Sequence, residues 1–193
     1  MEILTPSDRT IDEMRINSAF RRKIYLCEEI DRESIFKVIY YLDRLKELDA
    51  KSGTKELIEI VLDTYGGNCY DTIVLCAKIK SMIKDGYKII TTVHSIAFSG
   101  GFWILSCGSE RRGFADSRIM VHNISGGVIG KHQDMIEDLE ETQAIWNKLK
   151  EITIQNTNIT DEKMEEIKKM KCDWYFWGSE AIQDKLGVID KII

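Results

Sequence analysis

Short β-branched apolar runs alternate along this chain with stretches of helical period, and that alternation constrains the fold more than any other feature of the sequence. Leu57-Ile58-Glu59-Ile60-Val61-Leu62 is nearly all apolar, the pattern of a strand covered on both faces. Ahead of it, Ile35, Val38, Ile39, Leu42, Leu45 and Leu48 recur at three and four across Glu33 to Leu48, which predicts an amphipathic helix. Arg22 to Leu26 predicts a short strand before that helix, and Lys51-Ser52-Gly53-Thr54 ends it. The cycle repeats with a helical stretch from about Asp71 to Lys84, a break at Asp85-Gly86 and a strand at Tyr87 to Val93. An apolar helix at Phe102 to Cys107 and a strand at Arg118 to His122 follow. Strands alternating with helices predict an α/β domain whose parallel strands are joined by right-handed crossovers.

The length of 193 residues corresponds to one domain at about 150 residues each, with room for a small appendage. Residues 1 to about 20 are polar and weakly periodic and read as a terminal arm. Proline occurs once, at Pro6, against thirteen glycines, so the sharp turns fall to glycine. Three of them are Gly-Gly pairs: Gly66-Gly67, Gly100-Gly101 and Gly126-Gly127. The net charge of -5 is spread over mixed acidic and basic residues, which argues against nucleic acid or an anionic membrane as partner. Five scattered cysteines without a CxxC read as buried or half-buried free thiols in a reducing compartment. No apolar run approaches the roughly 20 residues of a membrane span, and the first residues lack a signal-peptide core. The expectation is a cytoplasmic protein, in which the sequons at Asn123 and Asn158 stay unused.

The longest helical pattern runs from Lys131 to Gln155, with Met135, Ile136, Leu139, Gln143, Trp146, Leu149 and Ile152 on one face. A helix of this length outreaches a small domain. Its stripe either packs on its own domain or needs another subunit. Thr160 and the charged residues after it resemble a capping box lacking Glu at N3.

Three histidines are present: His94, His122 and His132. His132 opens the long helix and is expected to be exposed. His94 ends the Tyr87 to Val93 strand, near the Ser99 turn. His122 ends the next strand, and ligand crevices in parallel α/β sheets lie beyond the carboxyl ends of strands. Ser99, in Ala97-Phe98-Ser99-Gly100-Gly101, sits between a strand and an apolar helix. There it is either a helix N-cap or a nucleophile beside free backbone amides able to hold an oxyanion. Gly66-Gly67 offers a second set of amides, or an ordinary turn. HExxH, paired CxxC and Walker A motifs are absent, so no metal site and no ATP hydrolysis are expected.

Set in line, these motifs resemble the proteolytic subunit of the Clp protease, the serine peptidase family that works with ring-shaped ATPases. The likeness runs over nearly the whole chain. The family's Ser-Arg-Ile/Val-Met-Ile-His-Gln-Pro is similar to Ser117-Arg118-Ile119-Met120-Val121-His122-Asn123-Ile124, and its Ala-Ser-Met turn falls at Ala97-Phe98-Ser99-Gly100. Asp173 precedes Trp174-Tyr175-Phe176-Trp177-Gly178-Ser179-Glu180-Ala181 as the family's acid precedes its aromatic segment. The closing Lys185-Leu186-Gly187-Val188-Ile189-Asp190 is similar to Tyr-Gly-Leu-Ile-Asp. The family's Asn-Ser-Pro-Gly-Gly loop becomes Asp63-Thr64-Tyr65-Gly66-Gly67, with tyrosine in place of proline; Ile124 likewise replaces proline and Gly100 methionine.

The resemblance implies a Clp-protease/crotonase-like spiral of β-β-α units with a protruding helical handle at about residues 124–155, a single domain over residues 21–193 and an arm over residues 1–20. It implies a serine endopeptidase without cofactor or metal: Ser99 as nucleophile, His122 as base, Asp173 as its orienting acid, and the Gly67 and Gly100 amides as oxyanion hole. Ile124, Ser125, Gly126 and Gly127 would pair with an extended substrate. It further implies unfolded protein or peptide substrates, a homo-oligomer of two stacked rings enclosing a chamber, and an AAA+ unfoldase ATPase as partner. Competing readings are a noncatalytic or weakly active ring subunit pairing with an active homologue, a crotonase-type acyl-coenzyme A enzyme, and a phage-type capsid maturation peptidase.

Overall fold

In a computed structural model of the chain, which describes residues 8–193, seven strands form one sheet. The opening helix α1 (Asp8–Phe20) leads into β1 (Lys23–Leu26), α2 (Arg32–Ser52), β2 (Ile58–Thr64), α3 (Cys69–Lys84) and β3 (Ile89–Phe98). The short α4 (Gly100–Ser106), β4 (Glu110–Gly113), β5 (Arg118–Val121), α5 (His132–Asn156), α6 (Asp161–Met170), β6 (Trp174–Trp177) and β7 (Lys191–Ile192) follow. The first seven residues of the expected arm, with Pro6, lie outside the described residues. Its remainder is helical.

Helix ends are set by local chemistry. Asp31 and Ser34 form a reciprocal capping box on α2, with the Ser34 N–H donating to Asp31 Oδ1 at 2.8 Å and the Asp31 N–H donating to Ser34 Oγ at 3.0 Å. Such a cap is worth about 1 kcal/mol. Gly53 (φ 71°) closes the same helix by donating to Asp49 O. Asn68 caps α3 by accepting from the Tyr70 and Asp71 N–H groups, and Thr160 caps α6 by accepting from Lys163 N–H. The α2 periodicity is realised: Ile35, Val38, Leu42 and Leu45 are buried, while Leu48, the last position of the pattern, is exposed.

Parallel pairing orders the strands β1-β2-β3-β4-β7. Strand β3 is longer than the sequence predicts and serves two partners on the edge away from β2. Its first half, Ile90 to Val93, pairs with β4, and its second half, Ile96 to Phe98, pairs with β5. His94 therefore lies inside β3 rather than at its end, edge-on to Tyr25 and tilted against Phe114. The reason is that β5 supplies backbone partners beyond Val93, so the strand need not stop there. Strand β6 adds antiparallel to β5. The core, with Trp103, Phe102, Trp146 and Phe176 among its largest fully buried side chains, fills the space between sheet and helices.

The long helix divides. Trp146, Leu149 and Ile152 are buried, and the buried Trp103 indole donates to Thr153 Oγ1 at 3.0 Å, tying α4 to α5. The same stripe is exposed at Met135, Ile136 and Leu139. Packing on its own domain thus holds for the second half of the stripe, and the first half is left uncovered by this chain.

The C-terminal segment is fastened by Arg111. Its backbone N–H and Nε donate to Asp190 Oδ2 at 2.8 and 2.9 Å, its Nη2 donates to Asp190 Oδ1 at 2.5 Å, and its Nη1 donates to the carbonyls of Asn156 and Gly187. Burial pushes the Asp190 carboxyl up, and the Arg111 hydrogen bonds and charge outweigh it, holding the group below its ordinary value. A depressed carboxyl stabilises the fold above its unfolded pKa of about 3.9 and ceases to do so as pH falls through the lower folded value. Urea titrations across pH should show Asp190→Asn clearly less stable than the parent at pH 6, with the difference shrinking below about pH 4.

Candidate active site

The exits of β1, β2, β3 and β5 converge at one end of the sheet. Ser99 follows β3 with φ 52° and ψ -117°, a conformation that side-chain-bearing residues rarely adopt and that costs on the order of 1–3 kcal/mol. It precedes α4 but its side chain makes no capping hydrogen bond. Instead Ser99 Oγ lies 2.8 Å from His122 Nε2. Ser99 thus stands at the N-cap position of α4 without capping it through its side chain. Its N–H donates to Met120 O at 2.9 Å, fixing the turn to β5.

Register explains the neighbours. Parallel pairing sets Phe98 beside Met120, so Ser99 turns out at the level where β5 ends and His122 begins. Antiparallel pairing sets Val121 against Trp174, and one further step puts His122 against Asp173. Asp173 Oδ1 is 3.7 Å from His122 Nδ1, too far for a hydrogen bond, with side-chain exposures of 52% and 22%.

A locked loop forms the other side. Ile30 N–H donates to Gly66 O at 2.8 Å, Asn68 N–H donates to Ile30 O at 2.7 Å, and Thr64 Oγ1 donates to Glu28 O at 2.6 Å. Gly66 (φ 99°) admits Ser99: a Cβ there would stand 2.7 Å from both Phe98 O and Ser99 Cβ. Gly67 (φ 152°) is equally obligatory, since a Cβ would meet Ile30 O at 2.1 Å. Gly100 provides the first amide of α4, one of those that a helix leaves without an internal acceptor.

These loops border a cavity of about 370 Å³. Its lining comes from the exit of β1 (Glu29), the exit of β2 (Tyr65, Gly66, Gly67), the ends of β3 and β5 (Ser99, Met120, His122) and Ser125 beyond. Ile124 is half-buried against the core, whereas Ser125, Gly126 and Gly127 are exposed and belong to no strand. His132 is exposed at the start of α5, as expected, and His94 is not part of the cavity lining. Of the cysteines, Cys76 and Cys107 are buried and Cys27 and Cys69 half-buried, but Cys172 is exposed, contrary to the expectation of five covered thiols.

Sequence reasoning missed Glu29 and Tyr65 as cleft residues. The rule that selects His122, position beyond the carboxyl end of a parallel strand, applies equally to the exits of β1 and β2 and would find both. Among the described residues no group of three or more His, Cys, Asp or Glu is arranged to hold a metal ion, and no helix is long and apolar enough to cross a membrane. Compared with known families, the chain matches the family model described as Clp protease over residues 9–193.

Gly66→Ala tests the steric argument. The methyl group must displace either the Phe98 carbonyl or Ser99, and at a positive φ. Urea unfolding should register a loss of about 1–3 kcal/mol; a change below 0.5 kcal/mol, on the order of an inert surface substitution, contradicts the close approach.

Proposed function

The chain belongs to the Clp protease family, and on that premise we propose that it is a serine endopeptidase that cleaves unfolded polypeptides within an oligomeric chamber. The observation that carries the reading is the 2.8 Å contact between Ser99 Oγ and His122 Nε2 at a serine whose side chain makes no capping hydrogen bond. Ser99 Oγ attacks the peptide carbonyl carbon while His122 Nε2 takes its proton, and the imidazolium then gives that proton to the departing amine. Water deacylates the serine by the same route in reverse. Asp173 orients the ring through Nδ1 and stabilises the imidazolium. The N–H groups of Gly67 and Gly100 hold the tetrahedral oxyanion, each such donor being worth roughly 10²–10³ in rate in other hydrolases. No step requires a metal or an organic cofactor.

The substrate runs as an added strand along Ile124, Ser125, Gly126 and Gly127, whose backbone belongs to no strand of the sheet. The exposed half of the α5 stripe, Met135, Ile136 and Leu139, is covered by a facing subunit, so that two stacked rings close the chamber. A ring-shaped AAA+ ATPase unfolds and feeds the substrate, and the setting is the cytoplasm.

A fluorophosphonate probe tests the chemistry. It should label the assembled protein at Ser99 alone, with Ser99→Ala unlabelled and Asp173→Asn reduced in peptide turnover by about 10⁴-fold while still assembled. An unlabelled assembled parent at neutral pH overturns the catalytic reading in favour of a noncatalytic ring subunit. Assembly is tested separately by sedimentation: the parent should run as a large multiple of the 22.3 kDa chain, and Leu139→Glu as a smaller species. A parent that sediments only as a monomer rules out the chamber.

A further inference from the structure

The cleft carries two side chains that the hydrolytic steps do not use. Glu29 lines it, is exposed, and has no hydrogen-bond or ion-pair partner among the described residues. Its neighbour Glu28, by contrast, is paired with Arg15 at 3.5 Å. Tyr65 lines the same cavity and is 79% exposed. Its ring rests edge-on against Phe98, with centroids 5.8 Å apart and planes at 76°, so it is braced at the nucleophile's own turn. Both residues hang from the locked loop. The hydrogen bonds from Ile30 N–H to Gly66 O and from Asn68 N–H to Ile30 O join the segment immediately after Glu29 to the segment immediately after Tyr65.

Among the described residues, Glu29 is the only carboxylate in the cavity lining, and no Lys or Arg contributes to it. An arriving positive side chain meets an unneutralised carboxylate and an open aromatic face; an acidic one meets repulsion and no compensating cation. An ion pair and a cation–π contact at one cationic group reinforce each other, because each holds the group in place for the other. The tyrosine stands where the resembled family has proline.

Resting on the peptidase reading above, we infer that the cleft selects substrates with a Lys or Arg side chain flanking the scissile bond, held between the Glu29 carboxylate and the Tyr65 ring. Glu29 and Tyr65 are specificity residues that touch substrate without entering the bond-breaking steps.

Binding separates this inference from the hydrolytic reading. In a Ser99→Ala background, two otherwise identical fluorescent peptides, one with lysine and one with norleucine beside the central bond, are titrated by polarisation. The lysine peptide should bind about three- to tenfold more tightly, an advantage that shrinks with added salt. Glu29→Gln should bring the ratio to near one, Glu29→Lys should invert it, and Tyr65→Leu should reduce it. Because the readout is a ratio within each variant, general loss of affinity or stability does not mimic the effect. Equal Kd values for the two peptides, a ratio unchanged in Glu29→Gln, or undetectable binding of both overturns the inference. A lysine preference that depends on Glu29 in a parent that cleaves neither peptide leaves the inference standing and overturns the peptidase reading alone.

Discussion

The site depends on one unfavourable backbone conformation. Ser99 holds a positive φ that repels its own side chain, and it persists because its surroundings permit nothing else. The preceding β3 residues are committed to β5, the Ser99 N–H is committed to Met120 O, and Gly66 leaves the space that the raised turn enters. The strain aims Oγ away from the helix it would otherwise cap and toward the end of β5. Stability spent on this turn is recovered in the core beneath it, where α4 is buried along its whole length and anchored through Trp103 to Thr153.

From that turn outward, the constellation is assembled by strand register rather than by loops reaching across space. Histidine and serine meet because β5 runs parallel to the second half of β3; histidine and aspartate meet because β6 runs antiparallel to β5. Ser99, His122 and Asp173, each one step beyond a paired strand residue, therefore inherit the rigidity of paired backbone. The exposed half of α5 and the segment from Ile124 to Gly127 have no such backbone pairing within this chain.

Much of this was legible in the sequence for identifiable reasons. Helices α2 and α3 have a clear period, and β2 is an apolar run interrupted only by Glu59 before Asp63. Ser99 and His122 follow strands, where the crevice rule looks. Asp173 was accessible only through family likeness, because Trp174 to Trp177 shows no alternation and its pairing partner lies some fifty residues away. Strand β4, Glu-Arg-Arg-Gly, carries no apolar signal at all; it exists because its backbone completes β3 and because Arg111 finds Asp190. Helix α1 has too weak a periodicity to be read as a helix. The division of α5 was invisible because its apolar stripe is continuous, and only the neighbours decide which half is covered.

Register also sets where the chain tolerates a change of length. Successive side chains of a strand point to opposite faces, so a single residue added to β5 or β6 carries either His122 or Asp173 to the wrong side of the sheet. The first turns of α5 have no such constraint, as they are exposed and can lengthen or shorten without disturbing the sheet. Descendants of this chain can thus vary in the length of this helix while the spacing from Arg118 to His122 and from Asp173 to Trp177 stays fixed residue for residue.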